Sequence, residues 1–401
     1  MSLIVGLLLM LLSAHLLGRL AEMLRQPALV GQMFAGIVLG PSILDLVQAA
    51  PNFAAISDLS VLFVVITAGL EMRMQHVLDL FRGKGVFALL LGFAIPALCA
   101  GIFCYWMGLA LIPGLVVTLC LSVTALPVAL RILGSFGMLN TQIARVAIAS
   151  ALLSDVIVLM ALGVALALAT SNASNDSSHW LPVIGLAIAK LGGLLVLVGV
   201  CHYICLRLSE RMANAQSKNV SPKHPADSIM ILTLLFMLGL GAASEHLGFH
   251  FAIGVFFASL MITRDLISDV RFENLERTCE LMTVSLFGPL FLAYQGIQFK
   301  LGSIENASFM IGLVIIAIGS KLLGGYAVAR LKQLSQRESL GVAAIMNARG
   351  VMEMVVASIA YRAGLVDQGL FSALLLVGIV TTMITPLLLK QWVPNLIKQN
   401  K

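Results

Sequence analysis

The sequence predicts an all-α polytopic membrane protein with about thirteen transmembrane helices. Composition comes first: 60% of the 401 residues are hydrophobic and 11% are charged. Mean hydropathy is +1.01, which no ordinary soluble domain approaches. Second, apolar runs of about 20 residues, enough to cross a bilayer, recur from one end to the other. Third, Lys and Arg avoid these runs and gather between alternate ones.

The runs place spans at 2–18, 28–44, 55–71, 85–107, 112–133, 141–169, 181–207, 228–246, 249–264, 279–296, 307–331, 337–361 and 367–390. The first run, Ser2–Leu17, has no basic lead and no small-residue cleavage site, so it reads as a retained helix. With the N-terminus outside, the basic residues beyond the spans fall on the inner side, except Lys300 and Arg362. Only Lys190, Lys321 and Arg349 stay within spans. That asymmetry fits an odd number of spans with a cytoplasmic C-terminus, in a bacterial inner membrane. It also accounts for the net charge of +6 without a nucleic-acid partner. The loop 170–180, with no basic residue, belongs outside.

The longest polar stretch, 209–227, lies near the middle of the chain. It suggests a first half at 1–180, a linker helix and cytoplasmic loop at 181–227, and an inverted second half at 228–401. No soluble regulatory domain is expected within 1–401, so such regulation is absent or comes from a partner. The six cysteines (99, 104, 120, 201, 205 and 279) all lie in or beside apolar segments and read as packing residues.

Charge inside the spans is rare and therefore informative. A carboxylate at the centre of a membrane helix costs about 2.5–3.5 kcal/mol on insertion scales. Asp155 stands alone in "ALLSDVIVLM". It reads as a carrier of a proton or a cation, or as a structural acid paired with Lys321 or Arg349. Lys321 reads equally as a coupling residue and as a counter-charge. Arg349 and Glu353 stand at i,i+4 and can pair with each other. Glu71 and Glu280 sit near span ends, where interfacial solvation is expected, and Glu245 beside His246 marks an exposed outer turn. His246 and His250 could sense pH, but packing or exposure is the simpler reading. Lys190 is assigned no role.

Two spans read as broken helices. In "LSVTALPVALRIL" (121–133), Ser122, Thr124 and Pro127 cluster in mid-span. Pro lacks a donor, and the hydroxyls can satisfy freed backbone groups. In "MNARGVMEMVV" (346–356), Asn347, Arg349, Gly350 and Glu353 cluster likewise. These are the fifth and twelfth spans, the positions that two six-span repeats separated by a linker would relate by symmetry. A dehydrated monovalent cation wants oxygen ligands, and Asp155, Ser154, Thr124 and the unwound carbonyls near 122–126 offer only oxygen. One carboxylate that holds either a proton or a cation, exposed alternately to the two sides, gives exchange.

These segments resemble the monovalent cation:proton antiporter-2 family, which includes plant cation/H+ exchangers and bacterial Na+(K+)/H+ antiporters. The resemblance runs through "AGLEM" (68–72), "LSVTALPVALRILGSFGML", "ASALLSDVIVLMALG", "LGFHFAIGVFFASLM" (247–261), "SKLLGGYAVARL" (320–331) and "NARGVMEMVVASIAYRAGL" (347–365). It covers most of the chain in order. It implies that Asp155 is the carrier carboxylate and that Lys321 and Arg349 match the family's charges in the eleventh and twelfth spans. The position before the carrier is often Asp, Asn or Gln in the family and is Ser154 here. Members with one acid tend to be electroneutral, so the resemblance implies one H+ per Na+ or K+. It also implies a homodimer, with a mobile core (spans 4–6 and 11–13) and a scaffold.

The residues offer no nucleophile–base set, phosphate loop or zinc spacing, so neither an enzyme nor a cofactor is expected. "GGYAVAR" (324–330) lies inside a span and is no dinucleotide fingerprint. Two other readings stay open: a K+ efflux system gated by a partner, and a membrane sensor that kept the fold without transport.

Overall fold

The computed structural model describes residues 2–71, 86–138, 141–171, 180–216, 226–303 and 306–393. Arg73, Arg82, Lys84, Lys218, Lys223, Lys398 and Lys401, most of the loop 170–180 and the middle of the loop 209–227 lie outside the described residues. All regular structure among the described residues is helical. The helices are α1 (Leu3–Met23), α2 (Ala28–Leu39), α3 (Pro51–Leu70), α4 (Val86–Trp106), α5 (Leu111–Ser122), α6 (Leu126–Ser135), α7 (Gln142–Ser171), α8 (Trp180–Gln216) and α9 (Ala226–His246). They continue with α10 (Phe251–Met261), α11 (Arg264–Ile267), α12 (Asp269–Met282), α13 (Gly288–Gln298), α14 (Ala307–Leu331), α15 (Gln336–Met346), α16 (Val351–Arg362) and α17 (Gln368–Trp392).

Among the described residues, eight helical segments are long and apolar enough to cross a membrane, counting Gln336–Arg362 as one, and four shorter apolar helices accompany them. Twelve of the expected spans thus have a counterpart. The tenth span, 279–296, falls on a helical stretch that is longer and less regular than the sequence suggests. Its helix begins at Asp269, runs through the polar, amphipathic α12, passes a π-helical turn at Thr283–Phe287 and continues as α13. Phe272, Leu275 and Cys279 of α12 are buried, while Glu280 and the following Leu281, Met282 and Val284 are exposed.

Local chemistry fixes the ends. Asn306, Ser335 and Asp367 cap α14, α15 and α17 at their N-termini, each with a side-chain oxygen accepting a backbone N–H. Ser335 and Glu338 form a reciprocal capping box. Gly364 ends α16 with φ +70°, a left-handed conformation that glycine adopts at no steric cost.

The chain divides into two compact units. One comprises Met1–Asp58, Asp79–Leu162 and Gly288–Lys401; the other comprises Leu59–Leu78 and Gly163–Phe287. In the first, α1, α2 and α13 pack together, and α4–α6 and α14–α17 form a continuous set. The α2–α13 approach depends on missing side chains: a Cβ on Gly36 would overlap the carbonyl oxygen of Ala293, and one on Gly296 would overlap that of Met33. In the second unit, α9 and α10 form a tight hairpin, with Gly254 against the carbonyl of Leu240. Phe63 stacks on Phe287 at 4.2 Å, and Thr67 and Thr283 share a hydrogen bond of 2.7 Å.

Glu245 and His246 are exposed. His250 caps α10, its Nδ1 accepting from the Ala252 N–H at 3.3 Å, so its role here is capping. All six cysteines are free.

Overpacking costs about 1–3 kcal/mol where neighbours cannot yield. Gly36→Ala should therefore lower the unfolding temperature of the protein in detergent by several degrees. Gly319→Ala, on a part of α14 with open space around it, should leave it unchanged or slightly raised. Differential scanning fluorimetry of the two variants checks this.

Candidate functional site

The site is built where two helices stop inside the first unit. The fifth span breaks at Val123–Ala125, between α5 and α6, and the twelfth at Asn347–Gly350, between α15 and α16. Both breaks fall on the expected segments. Pro127 occupies the first turn of α6, where a missing N–H costs nothing, so it marks a helix start and not a kink within a helix. The two breaks touch: the Ala125 N–H donates to the Ala348 carbonyl at 3.1 Å, and the Thr124 hydroxyl to the Met346 carbonyl at 3.4 Å. Gly350 makes room for this crossing, since a Cβ there would lie 2.5 Å from Val128 Cγ2 and 3.1 Å from Ala125 Cβ.

A helix end leaves four carbonyls without intrahelical partners, and none can stay unpaired inside a membrane. The four at the end of α5 are all satisfied. The Val123 N–H takes Leu119 at 3.2 Å. Arg349 donates to the Cys120 carbonyl at 3.0 Å and the Leu121 carbonyl at 2.8 Å. Lys321 donates to the Ser122 carbonyl and, at 2.7 Å, to the Thr124 hydroxyl. Two cations thus sit on the negative end of the α5 dipole, the favourable sign. Arg349 also pairs with Glu353 at 2.9 Å, and neither side chain is exposed at all. Glu353 lies in the first turn of α16, near its positive end.

Asp155 on α7 is 2% exposed. Neither of its carboxylate oxygens has a hydrogen-bond partner among the described residues. Its electrostatic neighbour is Lys321, whose amine is hydrogen-bonded to the end of the first break. Ser154 is equally buried, and its hydroxyl donates to the Ala151 carbonyl at 2.8 Å on its own helix. Asn347 donates to the Thr381 carbonyl at 3.2 Å and the Thr385 hydroxyl at 3.3 Å.

Of the residues singled out in the sequence, Ser122, Thr124 and Lys321 are therefore bonded together. Arg349 and Glu353 form the expected i,i+4 pair, and Arg349 reaches the first break as well. Asp155 shares an electrostatic interaction with Lys321 but no hydrogen bond. Sequence reasoning missed Thr382, whose hydroxyl donates to the Arg349 carbonyl at 2.8 Å and pins the second break to α17. The run "TTMIT" at 381–385 carried the signal, as three hydroxyls within an otherwise apolar span.

Discontinuous helices that cross beside a buried, unpaired acid define a secondary-transporter class of membrane protein. The chain belongs to the sodium/hydrogen exchanger transmembrane family, whose model matches residues 8–393. It is 25% identical to a Na(+)/H(+) antiporter of Enterococcus hirae, over 96% of this chain and 97% of that protein. It is 26% identical to the Na(+)/H(+)-K(+) antiporter GerN of Bacillus cereus, over 95% and 94%. Cation/H(+) antiporter 20 of Arabidopsis thaliana is 28% identical over 93% of this chain, which spans 46% of that longer protein. The fold is that of the sodium proton antiporter MjNhaP1 from Methanocaldococcus jannaschii, with a TM-score of 0.68, 18% identity, and coverage of 100% and 99%.

Removing one member of a buried ion pair costs about 3–5 kcal/mol, whereas replacing both with apolar groups is far milder. Glu353→Met alone should therefore strand Arg349 and destabilise strongly. Arg349→Met alone should be worse, because it also strands two carbonyls. The double variant should recover part of the Arg349→Met loss. A double-mutant cycle on thermal unfolding in detergent measures the coupling; strict additivity would contradict it.

Proposed function

We propose that the protein exchanges H+ for a monovalent cation, Na+ or K+, across the membrane, with Asp155 as the group that binds either one. The observation that carries this reading is the Asp155 carboxylate, buried with both oxygens unpaired. A buried carboxylate without partners is stabilised either by a proton or by a dehydrated cation, and binding one excludes the other. Family membership supports the same chemistry.

The ligands for the cation are the Asp155 oxygens, with the Ser154 hydroxyl of the same helix and the Thr124 hydroxyl of the first break. Thr124 is engaged by Lys321 in this structure, so its contribution requires the Lys321 amine to let go. Lys321 and Arg349 hold the break together, and Glu353 balances Arg349. Asp155 is the acid left to exchange its charge, and Ser154 cannot ionise, so exchange is one for one and electroneutral. The wider arrangement follows the sequence reading: a homodimer in a bacterial inner membrane, N-terminus outside and C-terminus inside, with inverted halves and a core of spans 4–6 and 11–13 that moves against a scaffold.

Asp155→Asn keeps the shape and removes the charge. In proteoliposomes it should abolish Na+- or K+-driven proton movement while leaving the purified protein folded. Exchange at the wild-type rate would overturn the assignment.

Competition fixes the sign of the pH effect. Protons bind more readily as pH falls, so the apparent cation affinity should weaken toward low pH, approaching about tenfold per pH unit where Asp155 is mostly protonated. An affinity that stays flat between about pH 6 and pH 9 would count against a shared carboxylate. Imposed membrane potentials of either sign should leave uptake unchanged; strong acceleration by one sign would reject one-for-one exchange.

A further inference from the structure

The far end of α16, away from the break, is cross-linked more heavily than a helix needs for packing. Within the first unit, Gln295 of α13 donates its amide N–H to the Ser358 hydroxyl of α16 at 3.2 Å, with both side chains buried. One turn on, the Tyr361 hydroxyl donates to the Gln368 side-chain oxygen of α17 at 2.6 Å. The amide of Gln368 in turn donates to the Gln298 carbonyl that ends α13, at 2.7 Å. Arg362, the last residue of α16, pairs with Asp58 and lies 5.9 Å from the centre of the Tyr294 ring. Three successive anchors thus tie one end of a 12-residue helix to α3, α13 and α17. The other end of that helix carries Arg349 and Glu353.

The cluster contains a flaw. The Gln295 Oε1 is fully buried and has no hydrogen-bond partner among the described residues. A buried acceptor left unpaired is costly, and water satisfies it at once when the contact opens. The contact is therefore held by its donors and weakened by its acceptor, the balance expected of an element with two arrangements.

We propose that Gln295 and Gln368 form a latch that holds the far end of α16 closed, and that releasing it opens the broken-helix site toward that side of the membrane. Gln295 acts through α16 and is a positioning residue; it does not touch the exchanged ion. This inference rests on the proposed alternation of access at Asp155, but the latch itself is readable without transport.

The test is hydrogen–deuterium exchange of the purified protein in detergent, paired with sided transport in proteoliposomes. Gln295→Leu and Gln368→Ala should each speed amide exchange in peptides covering 351–372 by about tenfold, with peptides from α1 and α2 unchanged. Gln295→Leu should also change the apparent cation affinity measured from one side more than from the other. Gln295→Met removes both the donor and the acceptor with little change of volume, so it should open the latch as Leu does. Unchanged exchange in 351–372 for both Gln295 variants overturns the latch. If exchange rises but cation affinity moves equally on both sides, the cluster is packing only and the latch is also overturned. A wild-type protein that moves no cation refutes the proposed function instead, and leaves the exchange result to judge the contact.

Discussion

Four backbone carbonyls at the end of α5 set the terms for this structure. A helix that stops inside a bilayer must satisfy its last carbonyls without water. Here one backbone N–H, Arg349 and Lys321 do so between them. The two cations are as buried as any of the described residues. They cannot remain there without compensating charge, and Glu353 and Asp155 are the buried acids nearby. Breaking one helix thus calls for two bases, and the two bases call for two acids.

The acids are not equivalent. Glu353 is held by Arg349 in a direct ion pair, next to the start of α16. Lys321 spends its hydrogen bonds on the first break and leaves the Asp155 oxygens unpaired. The same geometry that stabilises the break therefore leaves one carboxylate under-satisfied. That difference separates a structural charge pair from an exchangeable one, and it arises from which base reaches which acid. The crossing of the two breaks, tightened by Gly350, keeps those reaches fixed.

Much of this was legible in the sequence. The breaks announced themselves through Pro127, the nearby hydroxyls and the Asn–Ala–Arg–Gly run, because such residues are rare in apolar spans. Asp155, Lys321, Arg349 and Glu353 stood out for the same reason. That Lys321 would bond the Ser122 carbonyl was not legible, because a backbone carbonyl has no letter in the sequence. Thr382, Gln295 and Gln368 escaped notice because neutral polar residues in a span look harmless one at a time. The start of the tenth span's helix at Asp269 was not legible, because the polar first turns of α12 carry no apolar run to mark them.

The central claim is that one carboxylate holds either a proton or a cation. Isothermal titration of the purified protein with Na+ and with K+, repeated in buffers of different ionisation enthalpy, counts protons released per cation bound. The account predicts release approaching one proton per cation at a pH where Asp155 is protonated, and none from Asp155→Asn. Cation binding to the wild-type protein at that pH with no proton released would contradict it.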